Sequence, residues 1–130
     1  MFGASSLWAV ARQLWPSTRP DGSASVAVRL SGPSPNLAGV VQGLLASWEA
    51  EAFKAGRDLL EDLERSPWVE SADDRVDVVF EGRPGSRLWK DWMVWFTSYV
   101  RASNPEVKRE AFVDRVSNRV RPAVDPGPSA

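Results

Sequence analysis

Four acids fall between positions 70 and 77: Glu70, Asp73, Asp74 and Asp77. Clustered carboxylates are oxygen ligands for Mg²⁺ and can support metal-assisted hydrolysis or phosphoryl transfer. No glycine-rich phosphate loop accompanies them, and Asp73 and Asp74 stand where a hairpin tip takes polar residues. The cluster therefore reads first as a turn, and only second as the centre of a small carboxylate-dependent metal enzyme. Nucleophilic chemistry has one candidate, Ser86 with Lys90 a helical turn later, and a helix-capping serine beside an exposed lysine explains that pair as well. The chain has 0 histidines and 0 cysteines. The commonest general base, the commonest transition-metal ligand, thiolate chemistry, zinc–thiolate sites and disulfides are thereby excluded. The expectation is a non-enzymatic protein with no cofactor and no metal site.

Two stretches point to binding. From Arg101 to Arg121 six basic residues face three acidic ones, and on a helix Lys108, Arg115 and Arg119 would share one side. A basic helix side can meet phosphates, so a nucleic-acid accessory role is one alternative. The interleaved acids Glu106, Glu110 and Asp114 weaken it, and a net charge of −1 supplies no field that draws the whole chain to nucleic acid.

The stronger signal is Leu88–Val100, LWKDWMVWFTSYV, which carries Trp89, Trp92, Trp95, Phe96 and the sole tyrosine, Tyr99. At 100° per residue Trp95, Leu88, Tyr99, Trp92 and Phe96 fall within about 100° of arc, a stripe fit to face a core. Trp89, Met93 and Val100 widen the arc to roughly 160°, beyond what one sheet commonly covers. The expectation is that this outer edge meets a second surface, with Trp89, Met93 and Val100 as apolar contacts and Arg87 and Arg101 at the polar rim. The partner would be another protein or a second copy of the chain. On this reading the chain is an interaction module: a homodimer, a subunit of an assembly, or a small regulatory or inhibitor protein.

The elements that must position these residues follow from periodicity and punctuation. Residues 1–20 form an amphipathic segment with Leu7, Val10, Ala11, Leu14 and Trp15 at helical spacing. A short docked helix is expected there. The absence of acid keeps an organellar targeting segment as the alternative to a cytoplasmic protein. Residues 24–121 are expected to be one α+β domain, and 122–130 a disordered tail rich in proline and glycine. Ser25–Leu30 alternates like a half-buried strand. Leu37, Val41, Leu44, Trp48, Ala52, Ala55, Leu59 and Leu63 then continue a helical stripe.

Unbroken from Pro35 to Arg65, that helix would run ~46 Å. A compact domain of this length is only ~36 Å across, so a break is expected, with Gly56 the favoured place. Trp68–Ser71 and Arg75–Glu81 read as a hairpin with Val76, Val78 and Phe80 on one face. Asn104-Pro105-Glu106 reads as the start of a last helix running to Arg121. The resulting expectation is a small mixed or antiparallel sheet of about three strands covered by helices on one face, with a right-handed crossover between the first strand and the hairpin.

Overall fold

The computed structural model of the chain describes residues 16–122. The docked N-terminal helix and the disordered tail, as expected above, lie outside these residues, apart from positions 16–20 and 122. The fold is α+β: a five-stranded antiparallel sheet carries two α-helices on one face. The strands are β1 (Ala24–Ser31), β2 (Trp68–Ser71), β3 (Val76–Gly82), β4 (Lys108–Asp114) and β5 (Arg119–Pro122), in the spatial order β2-β3-β1-β4-β5. The helices are α1 (Leu37–Lys54) and α2 (Trp89–Ser103).

β1 is central because its even-numbered residues are all apolar. Val26 faces Phe80, Val28 faces Val78 and Leu30 faces Val76 across β3, while Val28 faces Phe112 across β4. These seven side chains join Val41, Leu45 and Trp48 of α1 and Met93, Phe96 and Val100 of α2 in one core. The first strand and the β2–β3 hairpin thus pair with the expected face inward. The connection through α1 leads from β1 to β2, and because each of these pairs antiparallel with β3 between them, they run in the same direction, so strand, helix and strand form a crossover with β3 inserted.

α1 ends at Lys54, and Gly56 follows with φ of 72°, a left-handed conformation that glycine adopts without a Cβ clash. The long helical stripe therefore breaks at the expected place. Asp58 then caps a short 3₁₀ turn, Leu59–Glu61, by accepting from the Leu60 amide at 2.9 Å. Leu63 stays fully buried although it is no longer helical, and it bridges to Gly82 at the end of β3.

The last helix is the main correction. Lys108–Asp114 and Arg119–Pro122 form a hairpin, with Val113 opposite Val120 and Asp114 opposite Arg119. Asp114 decides it. Its buried carboxylate accepts from the amides of Val116 (3.0 Å) and Ser117 (3.3 Å) and from the Ser117 hydroxyl (2.7 Å). Asn118 completes the turn at φ 60°. An aspartate that bonds its own downstream backbone favours a turn over a helix, and the valines around it suit a strand. This hairpin adds two strands to the expected three.

The face of the sheet away from the helices is also covered in its middle. Ala27 and Val79 are fully buried though neither belongs to the main core. Arg115, just after β4, reaches Glu70 in β2 at 2.9 Å and so spans β1 and β3. The same Glu70 oxygen accepts from the Trp68 indole at 2.9 Å, and the Arg65 guanidinium lies 3.7 Å from the Trp68 ring centre. Long polar side chains thus lie over small apolar ones, their stems supplying the cover.

Candidate functional site

α2 is set against the rest of the fold by an acid at its start. Asp62 accepts from the Ser86 hydroxyl at 3.1 Å and from the Trp92 indole at 2.6 Å. Ser86 also accepts from the Leu88 amide at 3.4 Å, just before the first turn of α2, which has no side-chain cap. One turn on, Trp48 of α1 stands at the centre of an aromatic cluster. It meets Phe80, Trp92, Trp95 and Phe96 edge-on at ring separations of 6.1, 6.0, 5.6 and 5.3 Å. Edge-to-face contacts at these distances suit the aromatic quadrupole and add to the burial itself. Trp92 and Trp95 stack at 27°, and the Arg57 guanidinium caps both rings at 4.3 and 4.8 Å. Arg57 reaches them because the chain turns at Gly56. A cation over two indole faces is attracted by both.

The buried side of α2 is rotated from the expected one. Trp89, Trp92, Met93, Phe96, Thr97 and Val100 are buried, which centres the core-facing arc roughly 80° from the stripe read in the sequence. Trp89, Met93 and Val100, expected at a docking edge, are 3%, 1% and 0% exposed and belong to the core. The physical reason is Gly82. A Cβ there would lie 2.7 Å from Trp89 Cδ1 and Nε1, so the absent side chain is what lets the indole pack against the strand. Thr97, the polar member of the buried arc, satisfies its hydroxyl by donating to the Met93 carbonyl at 2.8 Å.

The uncovered edge of α2 is the opposite one. Leu88 is 59% exposed, and Trp95 and Tyr99, on the same stripe, are half-buried. Arg87 and Arg101, the expected rim residues, are exposed at the two ends of the helix. Sequence reasoning missed Leu88, Trp95, Tyr99 and Arg57 as the exposed group, since periodicity ranks all apolar positions on one arc alike. The available signal was Gly82, which marks the strand position able to receive a large ring.

The other candidate residues do not converge. Asp73 and Asp74 lie in the β2–β3 turn, closed by the Ala72 amide donating to the Arg75 carbonyl at 2.9 Å. Glu70 is engaged by Trp68 and Arg115, and Asp77 accepts two hydrogen bonds from Arg29 at 3.0 and 3.1 Å. Among the described residues no group of three or more His, Cys, Asp or Glu could hold a metal ion. Lys108, Arg115 and Arg119 share no helix side, because no helix forms there. Lys108 opens β4, Arg115 binds Glu70, and Arg119 lies 3.6 Å from the Asp114 carboxylate. No described helix is long and apolar enough to cross a membrane.

The chain matches no family model, no curated protein and no solved structure. Its functional reading rests on this geometry alone.

Proposed function

We propose that this chain is a non-enzymatic protein-interaction module that binds through the outer edge of α2. The contact would centre on Leu88, Trp95 and Tyr99, with Arg57 and Arg87 at its margin. The observation that carries the reading is Leu88 at 59% exposure beside two half-buried aromatics on one helical stripe, of which Trp95 is backed by Trp48 of α1 on its inner side and still reaches the surface. Large aromatics and arginine are enriched at the centres of protein interfaces. Fully burying a leucine is worth about 1.5–3 kcal/mol, so covering what remains exposed here is worth about half that. The helix is pre-ordered by its packing on Trp48, which lowers the entropic cost of docking.

The test is a photo-crosslinking amino acid placed at Leu88 or Tyr99 in the full chain, with Glu106, an exposed loop residue, as control. The expected product is one discrete adduct, either a covalent dimer of the purified chain or an adduct with one partner that re-forms when both proteins are purified. Tyr99→Asp should abolish the adduct formed at position 88 without changing the melting temperature by more than a few degrees. Labelling at 88 and 99 no stronger than at 106 would rule the reading out.

A further inference from the structure

We propose that the partner docking on the outer edge of α2 presents a carboxylate, from an aspartate or glutamate beside an apolar side chain, and that Arg57 receives it. The proposal rests on the interaction reading above and adds the partner's chemistry. Arg57 is exposed, and among the described residues its guanidinium makes no hydrogen bond or ion pair; the faces of Trp92 and Trp95, at 4.3 and 4.8 Å, hold it. The nearest acids in sequence are turned elsewhere. Asp58 accepts from the Leu60 amide at 2.9 Å, and Asp62 accepts from the Ser86 hydroxyl and the Trp92 indole. A cation without a counter-charge is thus set against the apolar stripe, because Trp95 lies on it with Leu88 and Tyr99.

Both ends of this side chain are fixed before any partner arrives. Where α1 ends, the Gly56 amide donates to the Phe53 carbonyl and the Arg57 amide to the Ala52 carbonyl, each at 3.0 Å, the two bonds of a Schellman turn. At the other end the guanidinium rests on two rings, and Asp62 fixes the nearer one through its indole N–H at 2.6 Å. A guanidinium held in this way loses little freedom when an acid binds, and its forked N–H groups match a carboxylate with two parallel hydrogen bonds. One guanidinium also balances the single charge of a carboxylate. A phosphate dianion calls for a second cation, and among the described residues no other cation lies over these rings. Arginine beside large aromatics is also the composition in which binding energy concentrates at protein interfaces.

The test selects short peptides from a random displayed library on the full chain and keeps those whose binding is lost in Tyr99→Asp. The kept peptides are expected to share an aspartate or glutamate next to an aliphatic or aromatic residue. Changing that acid to its amide should weaken binding about tenfold or more, as should Arg57→Gln. The two changes together should weaken it little further than either alone, since they remove the same pair. On the unaltered chain, saturating peptide should slow modification of Arg57 by phenylglyoxal, mapped by peptide mass spectrometry, while the exposed Arg75 and Arg121 react as before. That footprint needs no variant to fold. Failure to enrich any peptide on this edge, peptides without a shared acid, additive effects of the two changes, or an unprotected Arg57 would overturn the proposal. An adduct at position 88 that forms equally well with Arg57→Gln would overturn it and leave the interaction reading standing. Labelling at 88 and 99 no stronger than at 106 would remove both.

Discussion

Replacing Asp114 by asparagine should be among the most damaging near-isosteric changes in this chain. The carboxylate is fully buried, and two distant segments depend on it. One oxygen accepts from the Val116 and Ser117 amides of the β4–β5 turn; the other accepts from the Ser117 hydroxyl and, 97 residues away in sequence, from the Ser17 amide at 2.7 Å. Burial alone would raise its pKa, but the hydrogen bonds from Ser17 and Ser117 outweigh it and bring the carboxyl down from an ordinary 3.8 to about 2. A fall of that size corresponds to ~2.4 kcal/mol favouring the ionised over the neutral group. Asparagine resembles the neutral group and also turns an NH₂ toward the donors of Ser17 and Ser117. Leaving an amide unsatisfied costs a further ~1 kcal/mol or more.

The expected loss is therefore about 3 kcal/mol at pH 7, or a fall of ~10–15 °C in melting temperature for a domain of this size. The pH dependence gives the sharper check. A carboxyl whose pKa is lowered by folding contributes stability that is complete above its unfolded value near 3.8. That contribution is lost as pH falls through about 2. Urea unfolding of both chains from pH 7 down to pH 2 should then show the gap between parent and Asp114→Asn narrowing below pH 4. A variant within ~0.5 kcal/mol of the parent at pH 7 would refute the reasoning, as would a gap that stays constant on acidification.

Two further outcomes follow from the same packing. Gly82→Ala should destabilise the fold by about 1–3 kcal/mol, because the new Cβ meets the ring of a buried tryptophan that cannot swing away; an unchanged melting temperature would show that Trp89 has room to move. For the bridge across the sheet, both partners are more than a third exposed, so the coupling between Glu70→Ala and Arg115→Ala in a double-mutant cycle should be small, below ~1 kcal/mol. Hydrogen bonds from Trp68 and then Arg115 hold the Glu70 carboxyl below its ordinary value, so this coupling is present at neutral pH and lost as pH falls below the usual glutamate range. Zero coupling at pH 7 would show that the two side chains act separately.

Much of the central architecture was legible because local signals and tertiary demands agreed. The alternation in Ser25–Leu30 and Val76–Phe80, the glycine that ends α1 and the polar tip at Asp73 and Asp74 each had a local cause that survived folding. The β4–β5 hairpin was hidden because Phe112, Val113, Val116 and Val120 fit a helical face nearly as well as a strand pair. Only the turn chemistry of Asp114, Ser117 and Asn118 separates the two, and Asn104-Pro105 supplied a false start. The far face was misread for a related reason. Ser25 and Ala27 look like solvent positions in a two-sided strand, yet they are buried under side chains from positions 65, 68, 70 and 115, which periodicity along one strand cannot register.

The candidate edge of α2 shows most plainly where sequence reasoning runs out. Its apolar arc was correctly seen to exceed what one sheet covers, so part of it had to be left over. Which part is a question of shape rather than hydrophobicity. The sheet offers one recess, at Gly82, and Trp89 is the ring placed to fill it; with Trp89 inward, Met93, Phe96 and Val100 follow on the same turns. Trp48 then meets the flank that carries Trp92 and Trp95, and Leu88 is left outside with Tyr99.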